Sequence, residues 1–182
     1  MSTETIESSP LRLHIGGWEV HPNWKILDVE ARPEVDFVCD ASCLSQFADQ
    51  SVDAIYSSHT LEHFYYGINN ELAQTLKEWY RVLKVGGELY VSVPDLHSLC
   101  WLFLEPTATA QHRFDIMRII YGGQLNPYDI HKVGFDIDIL TYYLKNAGFR
   151  EYMRVSEFDL FNDASTLKIK DKLISLNVIA LK

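Results

Sequence analysis

The chain has 182 residues, 47% of them hydrophobic and 23% charged, the balance of a single globular domain with a core of its own and too short for two. A formal net charge of −9 argues against a nucleic-acid backbone as partner, and the longest apolar run, residues 99–104, is far short of a membrane span, so neither nucleic acid nor membrane is an expected partner. Three cysteines, Cys39, Cys43 and Cys100, are too few and odd in number for a disulfide framework and fit a cytoplasmic setting; the Cys39/Cys43 spacing lacks a second ligand pair, so no metal is expected.

Residues 1–10 are polar, lack the basic start and apolar stretch of a secretory signal, and read as a disordered tail. The domain is expected over residues 11–182, since no repeat or linker divides it. Strand patterns follow at residues 11–15, ending in Gly16-Gly17, at 25–29, ending in acidic residues, and at 35–39, ending at Asp40. A fourth strand at 52–57 leads into Ser58-His59. Leu72, Leu76, Trp79 and Leu83 then recur on one helical face, with Asn70 as the expected cap and Gly86 as the left-handed stop. A fifth strand at 87–93 closes at Pro94-Asp95. Strand, helix and strand in that order predict a right-handed crossover and a mainly parallel sheet.

Helical patterns continue at 96–104 and 108–121, stopped by Gly122-Gly123, and at Ile137–Ala147, where Asp136 caps and Gly148 ends the helix. Two further strands, 151–158 and 173–181, allow an antiparallel edge. The expected architecture is a Rossmann-like, mainly parallel seven-stranded α/β sheet with an antiparallel C-terminal edge and helices on both faces.

Ligands of open α/β sheets sit beyond the carboxyl ends of the strands. Gly16, Gly17, Asp28, Asp40, Ala41, Ser57 and Ser58 are therefore the candidate binding residues, a set suited to an adenosine-bearing ligand. Glycine permits close backbone approach, an acid after the second strand can accept both ribose hydroxyls, and one after the third can accept the adenine amino group.

Residues 51–95 contain Asp53-Ala54-Ile55-Tyr56, His59-Thr60-Leu61-Glu62-His63, Trp79-Tyr80-Arg81-Val82-Leu83-Lys84, Gly86-Gly87 and Val93-Pro94-Asp95. That ordered series resembles small class I S-adenosylmethionine (SAM)-dependent methyltransferases of the type-11 kind. Ala147-Gly148-Phe149 resembles the family's lead into its sixth strand, and Leu176-Asn177-Val178-Ile179-Ala180 its seventh. The cofactor loop departs from the family: only Gly16-Gly17 stand where a longer glycine signature and a full helix are usual, so either the first helix has collapsed to a turn or the strand order differs. Small saccharide-cluster methyltransferase-like proteins are similar in this respect.

The resemblance implies SAM as cofactor and methyl transfer to a small-molecule or glycan acceptor, as O-methylation with a histidine base. His59 and His131 are the candidate catalytic residues, with Asp95 a lesser one. Tyr65, Tyr66, Tyr128 and Trp101 are expected to wall the pocket. Glu62 is expected to serve a hydrogen bond or a cap. The alternatives are a SAM-binding protein without turnover and, further off, an NAD-dependent enzyme, whose Gly-x-Gly-x-x-Gly fingerprint is missing.

Overall fold

The computed structural model describes residues 10–182; the expected tail, apart from Pro10, lies outside the described residues. Strands β1 (Arg12–Ile15), β2 (Lys25–Asp28), β3 (Phe37–Val38) and β4 (Val52–Ser58) come first. Helix α1 (Glu71–Val82) leads into β5 (Leu83–Pro94). Helices α2 (Leu96–Phe103), α3 (Ala110–Tyr121) and α4 (Ile137–Ala147) follow. Strand β6 (Glu151–Val155), the hairpin β7 (Lys168–Ile169) and β8 (Lys172–Leu173), and β9 (Ser175–Leu181) complete the chain.

The main sheet has seven strands in the order β3-β2-β1-β4-β5-β9-β6. The first five run parallel, and β9 lies antiparallel between β5 and β6. This is the expected mainly parallel sheet with its antiparallel C-terminal edge; the reversed strand is β9, one place in from that edge.

Strands β1 and β2 pair in parallel across residues 16–24 without a helix between them. Of the two possibilities, the helix has collapsed and the strand order is kept. A stretch this short has no room for a helical crossover. Gly16 makes the reversal instead: its φ is +72°, and its N–H donates to the Leu27 carbonyl at 2.9 Å, a backbone conformation that glycine adopts without strain.

In α1, Leu72, Leu76 and Trp79 are fully buried on one face, as the spacing predicts. Asn70 does not cap the helix. It takes the left-handed conformation, its side chain makes no cap bond, and Glu71 accepts the Tyr65 N–H at 2.7 Å instead. The caps of α4 are as expected, Asp136 accepting the Ile139 N–H at 2.8 Å and Gly148 standing at φ +120°.

The alternation of strand side chains divides the core. Leu13, Ile15, Ile55, Leu89 and Val91 pack with α1 and α4. Tyr56 and Tyr90 point to the other face and meet Trp24, Phe158 and Phe161. His14 of β1 belongs to this aromatic layer, with its ring centroid 4.0 Å from that of Phe161.

Burial lowers the His14 pKa to about 4, against about 6.5 in the unfolded chain. The unfolded state thus binds the extra proton first as pH falls. The stability from neutral, buried His14 is full above about pH 6.5 and is lost progressively towards pH 4, by up to about 3 kcal/mol. His14→Leu is expected to flatten the fall in the urea midpoint between pH 7 and pH 4.5; an unchanged slope would count against this assignment.

Candidate active site

A cleft of about 460 Å³ opens beyond the carboxyl ends of β1, β2 and β4. Of the residues expected to bind or react there, Gly16, Asp28, Asp40, Ala41 and His59 form part of its wall, whereas Gly17, Ser57, Ser58 and His131 do not. A Cβ on Gly16 would stand 2.7 Å from Thr60 Oγ1, so backbone and cleft floor meet closely there. Gly17 serves packing: a Cβ on it would lie 2.6 Å from the His14 ring. Ser57 is fully buried within the sheet, paired with Ile15 and Val91, and Ser58 pairs with Ser92. The cleft begins one residue later, at His59, because the sheet encloses both serines.

Arg32, which sequence reasoning missed, holds the abbreviated first crossover. Its guanidinium donates to the Gly17 carbonyl at 2.7 Å and to Glu34 at 2.8 Å, pairs with Asp28 at 3.0 Å, and lies 3.9 Å from the Trp18 ring centroid. The other Asp28 oxygen accepts the Glu30 N–H at 2.8 Å. Both oxygens of the expected ribose acid are therefore engaged, while the half-exposed Glu30 carboxylate joins the wall beside it. Asp40 accepts the Ser42 N–H at 2.8 Å, and the Trp79 indole donates to the Ala41 carbonyl at 2.8 Å. A core tryptophan thus positions the wall at Ala41.

The opposite wall comes from residues 59–64 and the loop 126–132. His59 has a φ of +53°, a conformation strained for a non-glycine residue and concentrated at functional sites. Its Nε2 is 2.9 Å from Ser175 Oγ, which itself donates to the Ala164 carbonyl at 2.8 Å. Nε2 therefore carries the proton and donates, leaving the Nδ1 lone pair 3.5 Å from Glu62 Oε1. Burial lowers the His59 pKa to about 4, so the ring is neutral at physiological pH.

Glu62 is fully buried, and neither of its oxygens has a hydrogen-bond partner among the described residues. The expected cap or hydrogen bond is not formed. Desolvation raises its pKa to about 8. His131 sits behind the wall with Nε2 3.9 Å from Glu62 Oε1. His63, absent from the expected catalytic pair, stands in the wall itself.

Tyr128 lines the cleft as expected; Tyr65, Tyr66 and Trp101 do not. Lys132 covers Tyr65 at 4.0 Å, and Lys172 lies 4.8 Å from the Trp101 ring centroid. Asp95 has a structural task. It caps α2 through Ser98 and pairs with Arg154 at 3.1 Å.

The model of a methyltransferase domain family matches residues 19–91, from the shortened crossover into β5. The chain has the fold of SAM-dependent methyltransferases. Among solved structures, a SAM-dependent methyltransferase from Archaeoglobus fulgidus aligns at 18% identity and a TM-score of 0.56, over 95% of this chain and 86% of that one. A SAM-dependent methyltransferase from Thermotoga maritima, described as a possible histamine N-methyltransferase, aligns at 15% identity and 0.56, over 97% and 84%. The CurJ carbon methyltransferase aligns at 14% identity and 0.57, over 98% of this chain, which spans 50% of its length. No curated protein matches the chain. The chain contains, among its described residues, no helix long and apolar enough to cross a membrane.

Proposed function

We propose that the domain binds SAM in this cleft and transfers its methyl group to a hydroxyl of a small molecule or saccharide, with His59 accepting the proton. The observation that carries the reading is the succession of Gly16, Asp28, Glu30, Asp40 and Ala41 along one wall, facing His59 and Tyr128 on the other. Glycine at the first strand end admits the donor close to the backbone. Glu30 serves the ribose and Asp40 the adenine amino group, as acceptors, while Asp28 holds Arg32 beside them.

When bound, SAM would supply an electrophilic methyl group whose bond to sulfur is exchanged for one to the acceptor oxygen, and the neutral His59 imidazole would take up the hydroxyl proton. The protein contributes alignment and exclusion of water more than covalent chemistry. Tyr128, in the cleft wall, would offer an aromatic ring to the sulfonium charge. The net charge of −9 supports an acceptor that is not a nucleic acid. The unpaired thiols of Cys39, Cys43 and Cys100 support a cytoplasmic setting.

Calorimetry with SAM, S-adenosylhomocysteine and NAD tests the donor. The two adenosyl compounds are expected to bind and NAD not to. Asp40→Ala is expected to weaken SAM about tenfold, or about 1.4 kcal/mol, and Asp28→Ala to do so as well by releasing Arg32. Unchanged affinity in both variants would show the adenosine to be misplaced. SAM binding with no methylation of any offered hydroxyl compound would favour a binding protein without turnover.

A further inference from the structure

We propose that Glu62, His63 and His131 form a binding site for a divalent transition-metal cation of the zinc type. One ligand atom from each of the three lies within 4.8 Å of the others, and Glu62 Oε1 is 3.9 Å from His131 Nε2. A tetrahedral zinc ion, with bonds of about 2.0–2.2 Å, holds its ligand atoms about 3.4 Å apart. Small rotations of the two imidazoles and the carboxylate therefore close the set. Two imidazoles and one carboxylate are a donor set for zinc and its neighbours rather than for magnesium or calcium, which take oxygen.

Two features point to a cation, and a third lowers the cost of binding one. Glu62 is fully buried and accepts no hydrogen bond among the described residues; a charge in such a place needs a counter-charge or loses its ionisation. His63 places Nδ1 3.1 Å from the Ile130 carbonyl, so Nδ1 donates and the Nε2 lone pair is free. That is how metal-binding imidazoles are ordinarily oriented. The loop carrying His131 is also fastened in place, the Lys132 N–H donating to the Glu62 carbonyl at 2.7 Å and the His131 N–H to the Tyr121 carbonyl at 3.1 Å. The ligands thus come from two segments already stitched together, which lowers the ordering entropy of binding.

Of the three, only His63 stands in the cleft wall, so the ion's remaining coordination position opens there. The site depends on these three side chains and stands whether or not the cleft takes a methyl donor.

The test is titration of the chelator-treated full chain with Co2+ as a visible probe, then displacement by Zn2+. One equivalent of Co2+ is expected to bind with visible d–d absorption and no thiolate charge-transfer band. Glu62→Gln, His131→Ala and His63→Ala are each expected to weaken it at least tenfold. Zinc is expected to raise the Tm of the parent chain and not of the variants. Because Glu62→Gln alters a buried position, His63→Ala, at a partly exposed one, keeps the test decisive, with folding followed by circular dichroism. Absence of saturable binding up to millimolar metal, equal binding by all folded variants, or a thiolate band assigning the metal to cysteine would each overturn the proposal.

Discussion

Trp79→Ala is expected to cost about 3–5 kcal/mol of folding stability, the usual range for truncating a large buried aromatic residue. Trp79 is fully buried among Leu72, Leu76 and Leu144 in the main core, and its indole N–H holds the Ala41 carbonyl at 2.8 Å. Trp79→Phe separates its two tasks. Phenylalanine keeps much of the packing but leaves the carbonyl without that donor, a loss of about 1 kcal/mol. We expect this variant to remain folded and to bind SAM more weakly, because the Ala41 wall is released. Urea denaturation and calorimetry measure the two effects. A Trp79→Ala midpoint equal to that of the parent would contradict the assignment of this residue to the core.

Gly16→Ala is expected to reduce SAM affinity by tenfold or more while the chain still folds. The left-handed backbone at φ +72° costs an alanine about 1–2 kcal/mol, and its Cβ would stand 2.7 Å from Thr60 Oγ1. Relief comes by shifting the loop or the Thr60 side chain, and both line the cleft. Adding Thr60→Ala removes the close contact but not the backbone strain, so it is expected to restore only part of the affinity. Gly17→Ala makes the contrast. Its Cβ would meet the His14 ring at 2.6 Å, so it is expected to lower stability before it alters binding. Undiminished SAM binding by Gly16→Ala would remove Gly16 from the donor site.

The block from Trp79 to Lys84 shows why a motif can be legible while its task is not. Arg81 donates to the Leu44 and Phe47 carbonyls, to Asp49 and to Glu78, tying the connection between β3 and β4 to α1. Lys84 pairs with Asp53 at 2.7 Å across the start of β4 and β5. These charged residues brace the crossovers and touch no part of the cleft. In the stretch from His59 to His63 the reverse holds: His59, Thr60 and His63 enter the wall, whereas Glu62 was expected only to serve a hydrogen bond or a cap.

Arg32 had no signal of its own in a chain read residue by residue. Its importance comes from the missing helix, since the guanidinium reaches Gly17, Asp28 and Glu34 where a full crossover would have supplied packing. His131 was expected as a catalytic residue, but its neighbours Glu62 and His63 are brought to it by the fold.

Periodicity made α1 readable directly, periodicity and caps α4, and the succession of strand, helix and strand the mainly parallel sheet, because i to i+4 spacing and alternate burial are local properties of the chain. The tips of the first three strands were readable as ligand-facing for the same reason. Which side chains at those tips face the cleft, how a helix-free crossover is held, and that Glu62 meets two imidazoles were decided only by tertiary structure. Those relations join residues far apart in sequence through packing and burial, and local pattern carries no record of such distances.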